Sequence, residues 1–195
     1  MFQDLFRPQP LVLPLRPIAG EIYAHVFENL RTGVRRNLFW NLSVEFEPVH
    51  MEDEQWDCSF AVEWLTWPVR TWPELNGMEL EKVVLPEMVE SSLYLMAEHH
   101  PVALHELRLT ELRGNTFEAA FSASAQISTE HGNRTAPASF VCPLRFTGII
   151  VVRDNLEPKP STAAQAGEAV APFIQMDRLR QPRSEQWRYV LEPDT

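Results

Sequence analysis

The sequence predicts an α+β domain: a single antiparallel β-sheet in the order β-β-α-β-β-β, packed on one main helix, with extended arms at both termini. Three observations lead there. Residues 85–101 read as an amphipathic helix with a start and a stop. Apolar residues alternate strictly on both sides of it. Both ends of the chain are rich in proline and break the patterning.

The N-terminal arm, residues 1–19, carries Pro8, Pro10, Pro14 and Pro17 among Phe2, Leu5, Phe6, Leu11, Val12 and Leu13. Proline removes ladder donors, so the segment suits extended or polyproline-like backbone. It is too apolar for a free tail and reads as an arm lying on a surface. It lacks the continuous apolar run of a signal peptide. A core domain spans residues 20–152. Residues 20–32 suit a helix, because Ile22, Val26 and Leu30 recur at four-residue spacing and Gly33 can end it; strand alternation at Ile22, Ala24 and Val26 competes.

Leu38, Trp40, Leu42, Val44 and Phe46 alternate with polar or outward residues, as do Trp56, Cys58, Phe60, Val62 and Trp64. Glu52, Asp53 and Glu54 lie between them, which predicts a hairpin with one dry face and one wet face. Trp67-Pro68 and Trp72-Pro73 bracket a loop ending at Asn76-Gly77, and Met78 onward reads as a short extended run. The main helix follows. Pro86 fits a first helical position, Glu87 and Glu90 answer the macrodipole, and Met88, Val89, Leu93 and Met96 share a face. Pro101 stops it. Gly114-Asn115 marks a tight turn, and Phe117 to Ile127 alternate. Glu130 to Ala136 reads as a loop, and Phe140 to Phe146 alternate before the run Gly148 to Val152. Residues 153–171, rich in Pro, Ala and Glu, read as a linker, and residues 172–195, with two apolar groups, as a docking tail.

The formal charge of −10 argues against nucleic acid or an anionic membrane as partner. Ten acids and one base, Arg70, fall between Asn37 and Glu81, so the excess sits in one segment. It serves as a solvated face or as a surface for a basic partner. No run reaches the length of a membrane span. Cys58 and Cys142 sit at inward strand positions and read as buried thiols, which suits a cytoplasmic setting.

Chemistry-bearing patterns are sparse. Glu98-His99-His100 and His105-Glu106 are dense in ionisable groups, but their spacing matches no metal-hydrolase motif. There is no nucleophile elbow, no glycine cradle for a phosphate and no calcium loop. No cofactor and no metal are therefore expected. Trp40, Trp56 and Trp64 fall on inward parity and read as core.

The function expected is non-catalytic: a protein–protein interaction or assembly subunit in a homo- or hetero-oligomer, or an inhibitor of a basic partner. Its contact residues would be Phe2, Phe6, Glu52, Asp53, Glu54, Trp67, Trp72, Phe173, Trp187 and Tyr189. The alternative is a hot-dog or cystatin-like cup that binds or hydrolyses a small ligand, with His99, His105 or Glu106 in its pocket.

Overall fold

A computed structural model describes residues 11–51, 54–80, 88–129 and 132–194. Its strands are β1 (Pro17–Asn29), β2 (Val34–Met51), β3 (Glu54–Leu65), β4 (Glu79–Leu80), β5 (Glu90–Leu95) and β6 (Glu98–Arg113). They continue with β7 (Thr116–Thr129), β8 (Gly132–Pro137), β9 (Phe140–Val152), β10 (Arg183–Ser184) and β11 (Arg188–Leu191). The α-helix among the described residues is α1 (Ala163–Val170).

All eleven strands belong to one mixed sheet. Along it, β9, β1, β2, β3, β5, β6 and β7 follow one another, and β7 pairs again with β9. Those seven strands close a ring, so the sheet packs on itself and needs no helix to cover it. The expected sheet on a main helix is therefore overturned.

The helix expected over 85–101 is the largest correction. Residues 90–95 form β5 and 98–101 begin β6, joined by the two-residue turn Met96-Ala97 with Leu95 opposite Glu98. Residues 81–87, including Pro86, lie outside the described residues. Leu93 and Leu95 point into the ring and Tyr94 points out, a period of two that happened also to satisfy a helical spacing. Met96 and Ala97 take φ +56° and +57°, the positive values that a two-residue hairpin of this hand requires. Neither residue is a turn former, so the turn left no mark in the sequence. Pro101 does not stop a helix. It lies where β6 leaves β5 and takes up β7 at Val102.

Residues 17–29 form β1 rather than a helix, with Ile22, Ala24 and Val26 buried. The stretch read as a loop before Ala136 contains β8, an outer strand on β7. The β2–β3 hairpin and the Gly114-Asn115 turn form as the alternation indicated.

Inside the ring, one end holds Phe46, Phe60, Phe121 and Phe140 with centroids 4.7–5.4 Å apart. The other holds Trp40, Trp67, Trp72, Phe117 and Phe146 at 5.6–6.4 Å. Ala119, Ala123 and Ala125 on β7 leave room for rings from across the ring. The interior is packed, not a cup. Leu13, in the chain leading to β1, is buried against this core.

Residues 153–171 hold α1 and bury Leu156, Ala166 and Val170. They are fastened to the ring by a clamp: Arg36 Nη2 donates to Glu28 Oε1 and to Glu157 O, each at 2.5 Å. That hydrogen bond from Arg36 holds the Glu28 carboxyl below its usual pKa. Residues 172–194 fold onto the same body, with β11 paired to β9 and Ile174 and Leu179 buried.

β9 is where the ring is closed. On one side it pairs in parallel with β1; on the other it serves β7 through Arg145 and then β11 from Ile149. The handover lies at Gly148, with φ +131° and a β1–β9 register shift beside it. A Cβ there would overlap the Leu191 carbonyl oxygen.

Two measurements check this account. Gly148→Ala should lower the unfolding free energy in urea by about 3 kcal/mol, from overlap and unfavourable φ together. Met96→Asn with Ala97→Gly should raise it by about 1 kcal/mol, because both new residues tolerate the turn's positive φ.

Candidate functional site

The outer surface of β1, β2 and β3 carries a cluster that alternation alone would not place there. In β3, Phe60 and Val62 point inward, and continued alternation would send Trp64 in as well. A register shift between β2 and β3 instead puts Leu65 inside and turns Trp64 out, with Trp64 at φ +65°. This corrects its expected core position. Such a backbone costs on the order of 1–3 kcal/mol and persists where neighbours over-determine it. The neighbours are Phe27, His25 and Phe39, whose rings lie 5.1, 4.9 and 5.3 Å from Trp64. The Trp64 amide donates to Asn41 Oδ1 at 3.2 Å.

That bond fixes the chemistry of His25. With Asn41 Oδ1 committed as acceptor, its Nδ2 donates to Phe39 O at 3.3 Å and to His25 Nδ1 at 2.8 Å. His25 Nδ1 must then be unprotonated, and Nε2 carries the hydrogen. Burial lowers the His25 pKa to about 4, in the same direction. A neutral imidazole with an Nε2–H donor is held at this point of the wall.

His25 also lines a groove of about 820 Å³ outside β1, β9 and β11. Tyr23 stands beside it, its hydroxyl kept protonated by burial first and by Glu63 and Glu21 second. Arg145 and Glu21 face each other in the β1–β9 register. The far wall is an ion-pair network. Arg183 reaches Glu185 and Glu192 at 3.1 Å each, and Arg188 Nε donates to Glu185 at 2.5 Å. Trp187 closes that wall, 54 % exposed, with the Arg188 guanidinium 4.9 Å above its ring.

Beyond His25 the outer face turns acidic. Across the strands, Ala19, Glu45, Ser59 and Tyr94 stand in one row and Glu21, Ser43, Ala61 and Ser92 in the next; Glu63 pairs with Glu90. Asp57 and Glu47 are exposed beside them. Glu47 meets Arg16 at 3.5 Å, while Glu21, Glu45, Asp57, Glu63 and Glu90 make no ion pair among the described residues.

The residues expected to make contacts are scattered. Phe2, Phe6, Glu52 and Asp53 lie outside the described residues, and Glu54 is exposed at the start of β3. Trp67 and Trp72 are buried, and the Trp72 indole donates to Arg178 O at 2.9 Å. Tyr189 is buried beneath Arg153, and Phe173 is half-buried against the core. Among the described residues of this set, Trp187 is the aromatic that is freely exposed.

The histidines expected at a pocket diverge. His99 meets Ser92 Oγ at 2.5 Å on the outer face, His100 is buried beside Leu95 O, and His105 meets Ser124 Oγ at 3.0 Å. No group of three metal-ligating side chains forms among the described residues. No helix there is long and apolar enough to cross a membrane. Sequence reasoning missed His25, Asn41, Tyr23 and Arg145. An asparagine in the middle of an otherwise core-forming strand was the available signal, but the register shift that gives it meaning is not written in any periodicity.

Two outcomes are expected here. His25 binds a proton less readily folded than unfolded, so its contribution is complete above pH 6.5 and is lost as pH falls toward about 4. Urea titrations across that window should show a loss on the order of 2 kcal/mol that His25→Phe removes. Burial pushes the Cys58 thiol to about 11 and the Cys142 thiol to about 12, so neither should react with a thiol reagent at neutral pH until the chain is unfolded.

Comparison of the chain with protein-family models, with curated proteins and with solved structures gives no match in any of the three.

Proposed function

We propose that the protein is a non-catalytic binding protein that engages a basic partner through the acidic outer face of β1, β2, β3 and β5. The observation that carries this is the row structure of that face. Five carboxylates, Glu21, Glu45, Asp57, Glu63 and Glu90, lie on one continuous sheet surface and make no ion pair among the described residues. Between them stand Ser43, Ser59 and Ala61, small side chains that leave the surface flat enough for close approach. Tyr94, 43 % exposed, supplies an amphipathic contact at its edge.

Like charges gathered on a pleated face repel, which lowers the stability of the free protein and raises the gain from a complementary surface. The same repulsion disfavours a second copy of the chain on this face, so the partner is a different, cationic molecule. The absence of a catalytic reading rests on the site chemistry: both thiols are buried and the histidines point apart.

The test is a charge reversal. Full-length protein and the Glu45→Lys/Asp57→Lys/Glu63→Lys variant would be immobilised and offered host extract at low and at high salt. The wild type should retain a protein with a basic surface, release it at high salt, and bind it at least about tenfold more tightly than the variant, which melts normally. Retention unaffected by the three reversals would overturn the proposal.

A further inference from the structure

The groove outside β1, β9 and β11 adjoins the acidic face at Glu21 and has different chemistry. We infer that it is a binding site for a small monocarboxylate carrying a flat aromatic body.

The volume is the first argument. At about 820 Å³ the groove lies within the range of small-molecule sites. Donors are the second. Arg145 lines the groove from β9, and its side chain makes no hydrogen bond or ion pair among the described residues. Its planar fork matches a carboxylate in bidentate fashion. On the neighbouring strand, His25 presents an Nε2–H whose tautomer is set from behind by Asn41, and Tyr23 presents a protonated hydroxyl. Glu21, opposite Arg145, does not come within ion-pair distance of it, so the guanidinium is left for a ligand.

Charge then limits the ligand to one negative group. The lining carries four guanidiniums, from Arg145, Arg180, Arg183 and Arg188, and three carboxylates, from Glu21, Glu185 and Glu192. Five ion pairs among Arg180, Arg183, Arg188, Glu185, Glu192 and Asp194 already consume the far wall. With three guanidiniums balanced there by Glu185, Glu192 and Asp194, Arg145 is the one lining guanidinium outside that network, and a phosphate dianion would press a second charge against Glu21 and the far-wall acids.

The aromatic body is argued from Trp187. An exposed indole costs free energy in water and is tolerated here in a groove whose floor holds half-buried Ile150 and Val152 and buried Val190. Arg188 over its ring holds the side chain in place. A flat apolar group lying between that floor and the indole would have its carboxylate toward Arg145.

The experiment uses the full chain, labelled with nitrogen-15, and 2-naphthoate as probe. The tryptophan indole resonances are followed at neutral pH. The Trp187 indole signal should shift saturably, with half-saturation at or below about 1 mM. Arg145→Gln should weaken binding on the order of tenfold, as should Trp187→Ala; both residues are exposed, and a spectrum otherwise superimposable on the wild type confirms the fold. 2-Naphthamide, which has no charge, should bind on the order of tenfold less tightly to the wild type, a comparison that decides the point even if a variant fails to fold. Absence of a saturable shift, equal binding by Arg145→Gln, equal binding of the amide, or tighter binding of 2-naphthyl phosphate would each overturn the assignment.

Discussion

The structure hangs on the two edges of β9. A sheet that ends in open strands exposes unpaired amides and carbonyls, and a ring removes that exposure. Here the ring can close only if β9 satisfies β1 on one side and two successive strands on the other. Asn115 manages the transition: its carbonyl accepts from the Phe146 amide at 2.8 Å, and its side-chain amide donates to Phe146 O at 2.9 Å. Two residues later Gly148 lets the Leu191 backbone come close enough for β11 to begin. What remains open is short. β8 has six residues and ends in proline, and β10 has two.

This closure also explains which parts of the fold could be read from the chain. The β2–β3 hairpin was legible because Leu38 to Phe46 and Cys58 to Val62 alternate without interruption, and one wet face forces that pattern. The β5–β6 hairpin was not. Met88, Val89, Leu93 and Met96 satisfy a helical period, and Pro86 and Pro101 resemble its punctuation, while the turn between the strands uses Met96 and Ala97 in place of Gly or Asn. The ring chose the strand because Leu93 and Leu95 could then fill its interior, a tertiary preference that no local window contains. The same holds at the C-terminus: the apolar group at Tyr189, Val190 and Leu191 was visible, but its partner on β9 is set by Gly148.

The candidate surfaces were legible to different degrees. The acidic imbalance between residues 37 and 81 was plain in the composition, and the strands lay four of its ten acids, Glu45, Glu47, Asp57 and Glu63, on one outer face, where Glu21 and Glu90 from outside the segment join them. The groove was invisible, since Tyr23 and His25 come from β1, Arg145 from β9 and Trp187 from the approach to β11. Strain and function meet at the border of the two surfaces. Asn41, by accepting from the displaced Trp64 amide, is committed to donating to His25. A backbone irregularity is thereby converted into a fixed proton position on a ring facing the groove.

The parallel partnership of β1 with β9 has a consequence for how the chain acquires its shape. Glu21 lies beside Arg145, with most of the polypeptide between them. Contacts so distant in sequence raise the relative contact order and slow the search for the native state. During vectorial synthesis β1 can pair with β2 early, but its second edge waits until β9 has left the ribosome. The nascent chain therefore carries an unsatisfied strand edge from the emergence of β1 until β9 follows it, and in that interval it gains most from shielding by chaperones.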